Sequence, residues 1–160
     1  MKSVYIETTI ISYLTARPTR DLRAAAWQQT TAQWWETERR NYDLVTSELV
    51  LVEAESGNVE AAERRMRALD GILVQAVGDD ARALASRLVA EPGIPGADAL
   101  HIALACVHGV DYLLTWNCRH IDNAATKPMV RSTCAVAGYV CPEICTPMEL
   151  MSEESEDATG

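Results

Sequence analysis

Phenylalanine is absent from the 160 residues, and aromatics make up only 6% of them. Binding a single strand by stacking successive bases on aromatic rings therefore has little to work with. The five cysteines, Cys106, Cys118, Cys134, Cys141 and Cys145, are odd in number and include no C-x-x-C pair. That argues against a disulfide framework or a structural zinc site and leaves most of them as buried or idle thiols. No stretch approaches the roughly 18 to 20 uninterrupted apolar residues of a membrane span. The N-terminus also lacks a basic region followed by an apolar stretch and a cleavage site, so the expectation is a cytoplasmic protein without a membrane partner. A phosphate-cradling Gly-rich loop is missing as well. Positive charge is scarce: the formal net charge is −9, which works against general attraction to nucleic acid.

The distribution of charge qualifies its sum. Glu149, Glu153, Glu154, Glu156 and Asp157 crowd the last dozen residues, whereas arginines recur at Arg17, Arg20, Arg23, Arg39, Arg40, Arg64, Arg65 and Arg67. We read one domain over residues 1–151, long enough to bury a core unaided, and an acidic, disordered tail over residues 152–160.

Short apolar runs alternate with helical patterns. Residues 4–6, 44–46, 71–77 and 110–116 read as strands, the first followed by a helix from about residue 10. A long amphipathic helix is expected over residues 22–40, with Trp27, Trp34 and Trp35 at near-helical spacing. Trp34 and Trp35 are adjacent and cannot share one helical stripe, so one belongs to the core and the other to a dimer or partner surface. Ser47 suits an N-cap for a helix through Glu53, and residues 61–69, 79–90 and 96–109 read as further helices. The alternation implies a parallel sheet covered on both faces, with its ligand crevice beyond the C-terminal strand ends.

Four oxygen-bearing side chains fall near those ends. Glu7 follows the first strand, Glu53 ends the helix after the second, Asp98 opens a helix after a Pro/Gly loop, and Asn117 follows the fourth strand. Taken singly, each has a plain structural reading: Glu7 as a helix cap, Asp98 as a helix-start acid, Glu53 on a solvated face and Asn117 in a turn. Taken together they are a donor set for a hard divalent ion, since clustered acids without a cation repel one another.

These residues resemble the PIN domain family of nucleases, and within it the VapC-type toxins of toxin-antitoxin modules. YIETTIISYL carries the first acid, TSELVLVEAESG the second, GADALHIALACVHGVDYLLTWN the third acid and the following strand, and GYVCPEICTPMEL the closing segment. The resemblance implies a three-layer α/β/α sandwich around a parallel sheet and Mg²⁺- or Mn²⁺-dependent hydrolysis of RNA. It also implies a homodimer inhibited by a cognate antitoxin. By that likeness Glu7, Glu53, Asp98 and Asn117 are the catalytic and metal-binding positions. Thr9 either orients a water or phosphate or merely starts a helix, and His101 supports the site from behind. Two positions depart from the family pattern: Glu7 is one methylene longer than the usual Asp, and Asn117 is neutral where an Asp is usual, with Asp122 a possible compensating acid. The rival readings are a PIN-like module that binds RNA or protein with little or no catalysis, and a small-molecule phosphohydrolase. Cys118 and His120 hint only weakly at zinc, and the arginines near residue 65 read either as RNA contacts or as a solvated face.

Overall fold

The computed structural model describes residues 1–152. Five parallel strands form one sheet in the order β3-β2-β1-β4-β5. The strands are β1 (Ser3–Ile6), β2 (Asp43–Ser47), β3 (Leu73–Gln75), β4 (Tyr112–Leu114) and β5 (Glu143–Cys145). Between them run α1 (Thr8–Thr15), α2 (Leu22–Thr37), α3 (Glu48–Ala54), α4 (Val59–Leu69), α5 (Asp79–Ala90), α6 (Gly96–Val107) and α7 (Lys127–Val136). Connections from β1 to β3 step in one direction along the sheet and those from β3 to β5 in the other. Right-handed crossovers consequently place α1 to α4 on one face and α5 to α7 on the opposite one, and helices within each set touch one another. This is the α/β/α sandwich that the sequence pattern implies.

The middle strand explains why a parallel sheet forms. Val4, Tyr5 and Ile6 are fully buried, an unbroken run suited to a strand covered on both sides. Its register sets Tyr5 beside Val45 and Leu113, and Ile6 beside Leu114. Helix α1 begins at Thr8, earlier than its apolar residues suggest, because the Glu7 side chain caps it through the Thr9 N–H. Ser47 caps α3 as its sequence context predicts, accepting from the Val50 N–H.

The long helix ends at Thr37 and gives way to a single 3₁₀ turn at Arg39–Asn41. Trp34 is fully buried and donates Nε1–H to the Leu150 carbonyl at 3.0 Å. Trp35 is partly buried and is covered by the Arg39 guanidinium, 4.2 Å from its ring centre. Residues 127–145 hold two elements that the sequence reading left unassigned, α7 and the edge strand β5. Ser152, where the acidic segment begins, donates its N–H and hydroxyl to Glu38 Oε1; residues 153–160, the rest of the expected tail, lie outside the described residues.

Asp122 is committed elsewhere. Its carboxylate meets Lys127 Nζ at 2.6 Å, and both side chains are largely buried, so it does not stand in for the missing fourth acid. Burial pushes the Asp122 carboxyl up, with Lys127 opposing, and the bond to Asp122 pushes the Lys127 amine up. Lys127→Ala should destabilise the fold by about 3 kcal/mol, the low end for breaking a buried pair because Lys127 retains some water contact. Urea unfolding checks this, and a change under 1 kcal/mol would show the pair to be dispensable.

Candidate active site

The direction of chain stepping reverses between β1 and β4, which makes the C-terminal ends of these neighbours the place where a crevice opens in an open α/β sheet. Glu7 and the Thr115–Asn117 segment sit there. A hollow of about 590 Å³ lined by Arg39, Tyr42, Asp43 and Leu73 lies at the opposite strand ends and has no part in this geometry.

Glu7 is 4% exposed yet carries a carboxylate, so its partners decide whether it is tolerated. Oε1 accepts from the hydroxyls of Thr9 and Thr115, the latter at 2.6 Å, and Oε2 accepts from the Thr9 N–H at 3.1 Å. The two hydroxyls are themselves held from β4: the Trp116 N–H donates to Thr9 Oγ1 and the Asn117 N–H to Thr115 Oγ1. Trp116 in turn stacks on Trp27 and donates Nε1–H to Thr31 Oγ1, which fixes the turn against α2. Thr9 thus holds Glu7, a role its hydroxyl performs as both donor and acceptor.

Glu53 reaches the same place from α3. Its Oε1 accepts from Thr8 Oγ1 and from His101 Nε2, each at 2.6 Å. His101 is 1% exposed, and its Nδ1 lies 2.8 Å from the Tyr5 hydroxyl, which lies 2.7 Å from Ser47 Oγ. Because an ionised Glu53 can only accept, the direction of this chain follows for a neutral imidazole. Nε2–H donates to Glu53, Tyr5 O–H donates to Nδ1, Ser47 O–H donates to Tyr5, and Ser47 Oγ accepts from the Val50 N–H. Burial is the largest influence on the Glu53 carboxyl and raises its pKa, but the hydrogen bonds from His101 and Thr8 hold it below the usual carboxylate range. Burial pushes the Tyr5 phenol upward, which keeps it protonated as a donor.

Glu7, Glu53 and His101 therefore converge, each offering an atom within 4.8 Å of the others. Each carboxylate has one oxygen saturated by protein donors and a second with spare lone pairs. Asp98 and Asn117 form a separate pair: Asn117 Nδ2 donates to Asp98 Oδ1 at 3.1 Å, while Asn117 Oδ1 accepts from the His120 N–H. A second carboxylate at this position would repel Asp98; the amide bonds to it instead. The Asn117 backbone joins the two pairs through Thr115.

Tyr5, Ser47, Thr8 and Thr115 were not singled out from sequence as site residues. Tyr5 reads there as one more apolar strand residue, and the only clue to Thr115 is a hydroxyl two positions before Asn117 at a strand end. Arg64 donates to the Thr15 carbonyl and Arg65 to those of Ala54 and Ser56, while Arg67 pairs with Glu63. Arg64 and Arg65 thus tie α4 to the ends of α1 and α3, while Arg67 pairs within its own helix. Cys118 and His120 join no metal-binding group among the described residues.

Comparison with curated proteins found no match. Among solved structures, a chain of the VapBC2 complex of Rickettsia felis, determined with a promoter DNA fragment, is similar with a TM-score of 0.59 and 14% identity, over 90% of this chain and 98% of that one. VapC20 of Mycobacterium tuberculosis, described as a Sarcin-Ricin loop cleaving toxin, gives 0.57 and 17%, over 86% and 96%. The family model for the PIN domain matches residues 4–125. That span runs from β1 through the turn that follows Asn117 and takes in Glu7, Glu53 and Asp98, and on this match the chain belongs to the PIN domain family.

Proposed function

We propose that the protein is a metal-dependent endoribonuclease and the toxin of a toxin-antitoxin pair. The observation that carries this reading is the convergence of Glu7 and Glu53 at the sheet's switch point, each held by protein donors while keeping spare lone pairs. The donor chemistry fits Mg²⁺ or Mn²⁺, which prefer carboxylate and amide oxygens. Atoms of Glu7, Glu53 and His101 lie within 4.8 Å of one another, against the ~4.2 Å that is the widest separation of two oxygens bound to one such ion at about 2.1 Å. Glu7, Glu53 and Asp98 would hold the ion, with Asn117 positioning Asp98. His101 Nε2 is occupied with Glu53 and is not a ligand in this reading. Bound there, the ion would offset phosphate charge and make water more acidic.

The chain's own groups do the remaining work. Thr9 and Thr115 keep Glu7 from swinging away, and Thr8 and His101 do the same for Glu53. The attacking water gives its proton to solvent as its oxygen bonds to phosphorus, and the ester P–O bond breaks with its electron pair left on the departing oxygen, which takes up a proton from solvent. Because the Asn117–Asp98 bond is satisfied without a cation, one ion suits the site better than two. The neighbours' names support the biological setting: VapC20 is a Sarcin-Ricin loop cleaving toxin, and VapBC2 was determined bound to a DNA fragment from its promoter. An antitoxin segment lying over the crevice and a homodimer belong to the same reading, as does a cytoplasmic site of action; among the described residues no helix is long and apolar enough to cross a membrane.

Structured RNA incubated with the purified chain and Mn²⁺ should be cut, and a chelator should stop the cutting. Calorimetry should find one Mn²⁺ per chain. Absence of binding at millimolar Mn²⁺, with intact RNA, would replace this reading with the non-catalytic RNA- or protein-binding module.

A further inference from the structure

A second group of ligating atoms lies away from the crevice. Cys106 is in the last turn of α6, Cys134 is near the end of α7, and Cys141 is in the segment entering β5; their sulfurs all lie within 4.8 Å of one another. Cys106 Sγ and Cys134 Sγ are 3.3 Å apart, and all three are free thiols. Cys106 follows Asp98 by eight helical residues, a rise of roughly 12 Å, so this group is separate from the acids.

We propose that Cys106, Cys134 and Cys141 form a binding site for a soft, thiophilic cation, Zn²⁺ or Cu⁺. Three features carry this. The donors are all sulfur, which selects such ions over Mg²⁺ or Mn²⁺. They come from three different elements, so an ion binding them would tie α7 and the entry to β5 onto α6. Their spacing suits a common centre, since sulfurs each about 2.3 Å from one ion lie up to ~4.6 Å apart, and small rotations of the side chains close the remaining gap. Cys106 and Cys134 are buried, whereas Cys141 is half-exposed and gives an ion a way in. Hydrogen bonds from the Cys106 and Cys141 thiols lower the Cys134 thiol against the effect of burial. Uptake of the ion releases the protons of the thiols it binds.

This site is independent of the nuclease reading, and so is its test. The full chain, reduced and stripped of metal, is titrated with Co²⁺ as a spectroscopic stand-in for Zn²⁺ and, without oxygen, with Cu⁺ against a competing chelator. One equivalent should produce a sulfur-to-metal charge-transfer band, which oxygen ligands at Glu7 and Glu53 cannot give. A Co²⁺ band that stoichiometric Zn²⁺ abolishes identifies zinc, and a band with Cu⁺ alone identifies copper. Cys141→Ser should lose the band while its circular dichroism matches the wild type. Alkylation followed by mass spectrometry supplies a measurement that needs no variant: the ion should protect Cys106, Cys134 and Cys141 and leave Cys118 reactive. No band with either ion, a band that survives in Cys141→Ser, or uniform alkylation would overturn the proposal. So would a chain that only loses two hydrogens to a Cys106–Cys134 disulfide and takes up no metal.

Discussion

Glu7→Gln should lower Mn²⁺-dependent RNA cleavage about a thousandfold without unfolding the protein, and Glu7→Asp should lower it about a hundredfold. The carboxylate faces three donors, the two threonine hydroxyls and the Thr9 N–H. An amide satisfies only part of this set, because its NH₂ must oppose either the N–H or the hydroxyls, and it brings no charge to an ion. A loss of two to three powers of ten is usual when one preorganised polar group is removed from a reacting centre. The shorter acid fails for another reason. The backbone of Glu7 is fixed, its N–H donating to the Leu114 carbonyl, so Asp at this position would draw its carboxylate back by about one carbon–carbon bond, and a misplacement near 1 Å costs about a hundredfold. Single-turnover cleavage rates decide the matter, with circular dichroism as the check on folding. Cleavage by Glu7→Asp at the wild-type rate would show that the Glu7 site is not shaped for the longer side chain.

Trp34→Ala should destabilise the fold by about 4 kcal/mol, since it empties a fully buried indole site. The melting temperature should fall by about 10 °C for a chain of this size. The ring also stacks near Tyr42, and its N–H satisfies the Leu150 carbonyl. Trp34→Phe separates these contributions, because it keeps most of the apolar contact and loses the hydrogen bond, for an expected cost of about 1 to 2 kcal/mol. Thermal and urea unfolding of both variants supply the numbers. An alanine variant within 1 kcal/mol of wild type would mean that α2 does not depend on this anchor.

Apolar runs and caps made most of the fold legible. The span of α5 can be read directly from its composition between Gly78 and Glu91, because Asp79 and Asp80 favour the start of a helix and a Pro/Gly loop follows its end. β5 is obscured because only Ile144 and Cys145 of its three residues are buried, too few to show a period. The four strand-end candidates could be found because acids at the ends of buried strands need a reason. Their grouping could not be. Glu53 turns toward Glu7 because His101 and Thr8 hold it there, and Asn117 turns toward Asp98 because its amide can donate. Such directions depend on side chains meeting across 19 to 48 residues, which no local pattern encodes.

The bond from Thr115 to Glu7 joins residues 108 positions apart, and this has a consequence in time. At ordinary synthesis rates of about 5 to 20 residues per second, Glu7 is made many seconds before the hydroxyl and backbone groups that complete its surroundings. A growing chain therefore has half a crevice until β4 leaves the ribosome and docks beside β1. On the proposed reading as an RNA nuclease, cleavage would wait until β4 has docked beside β1.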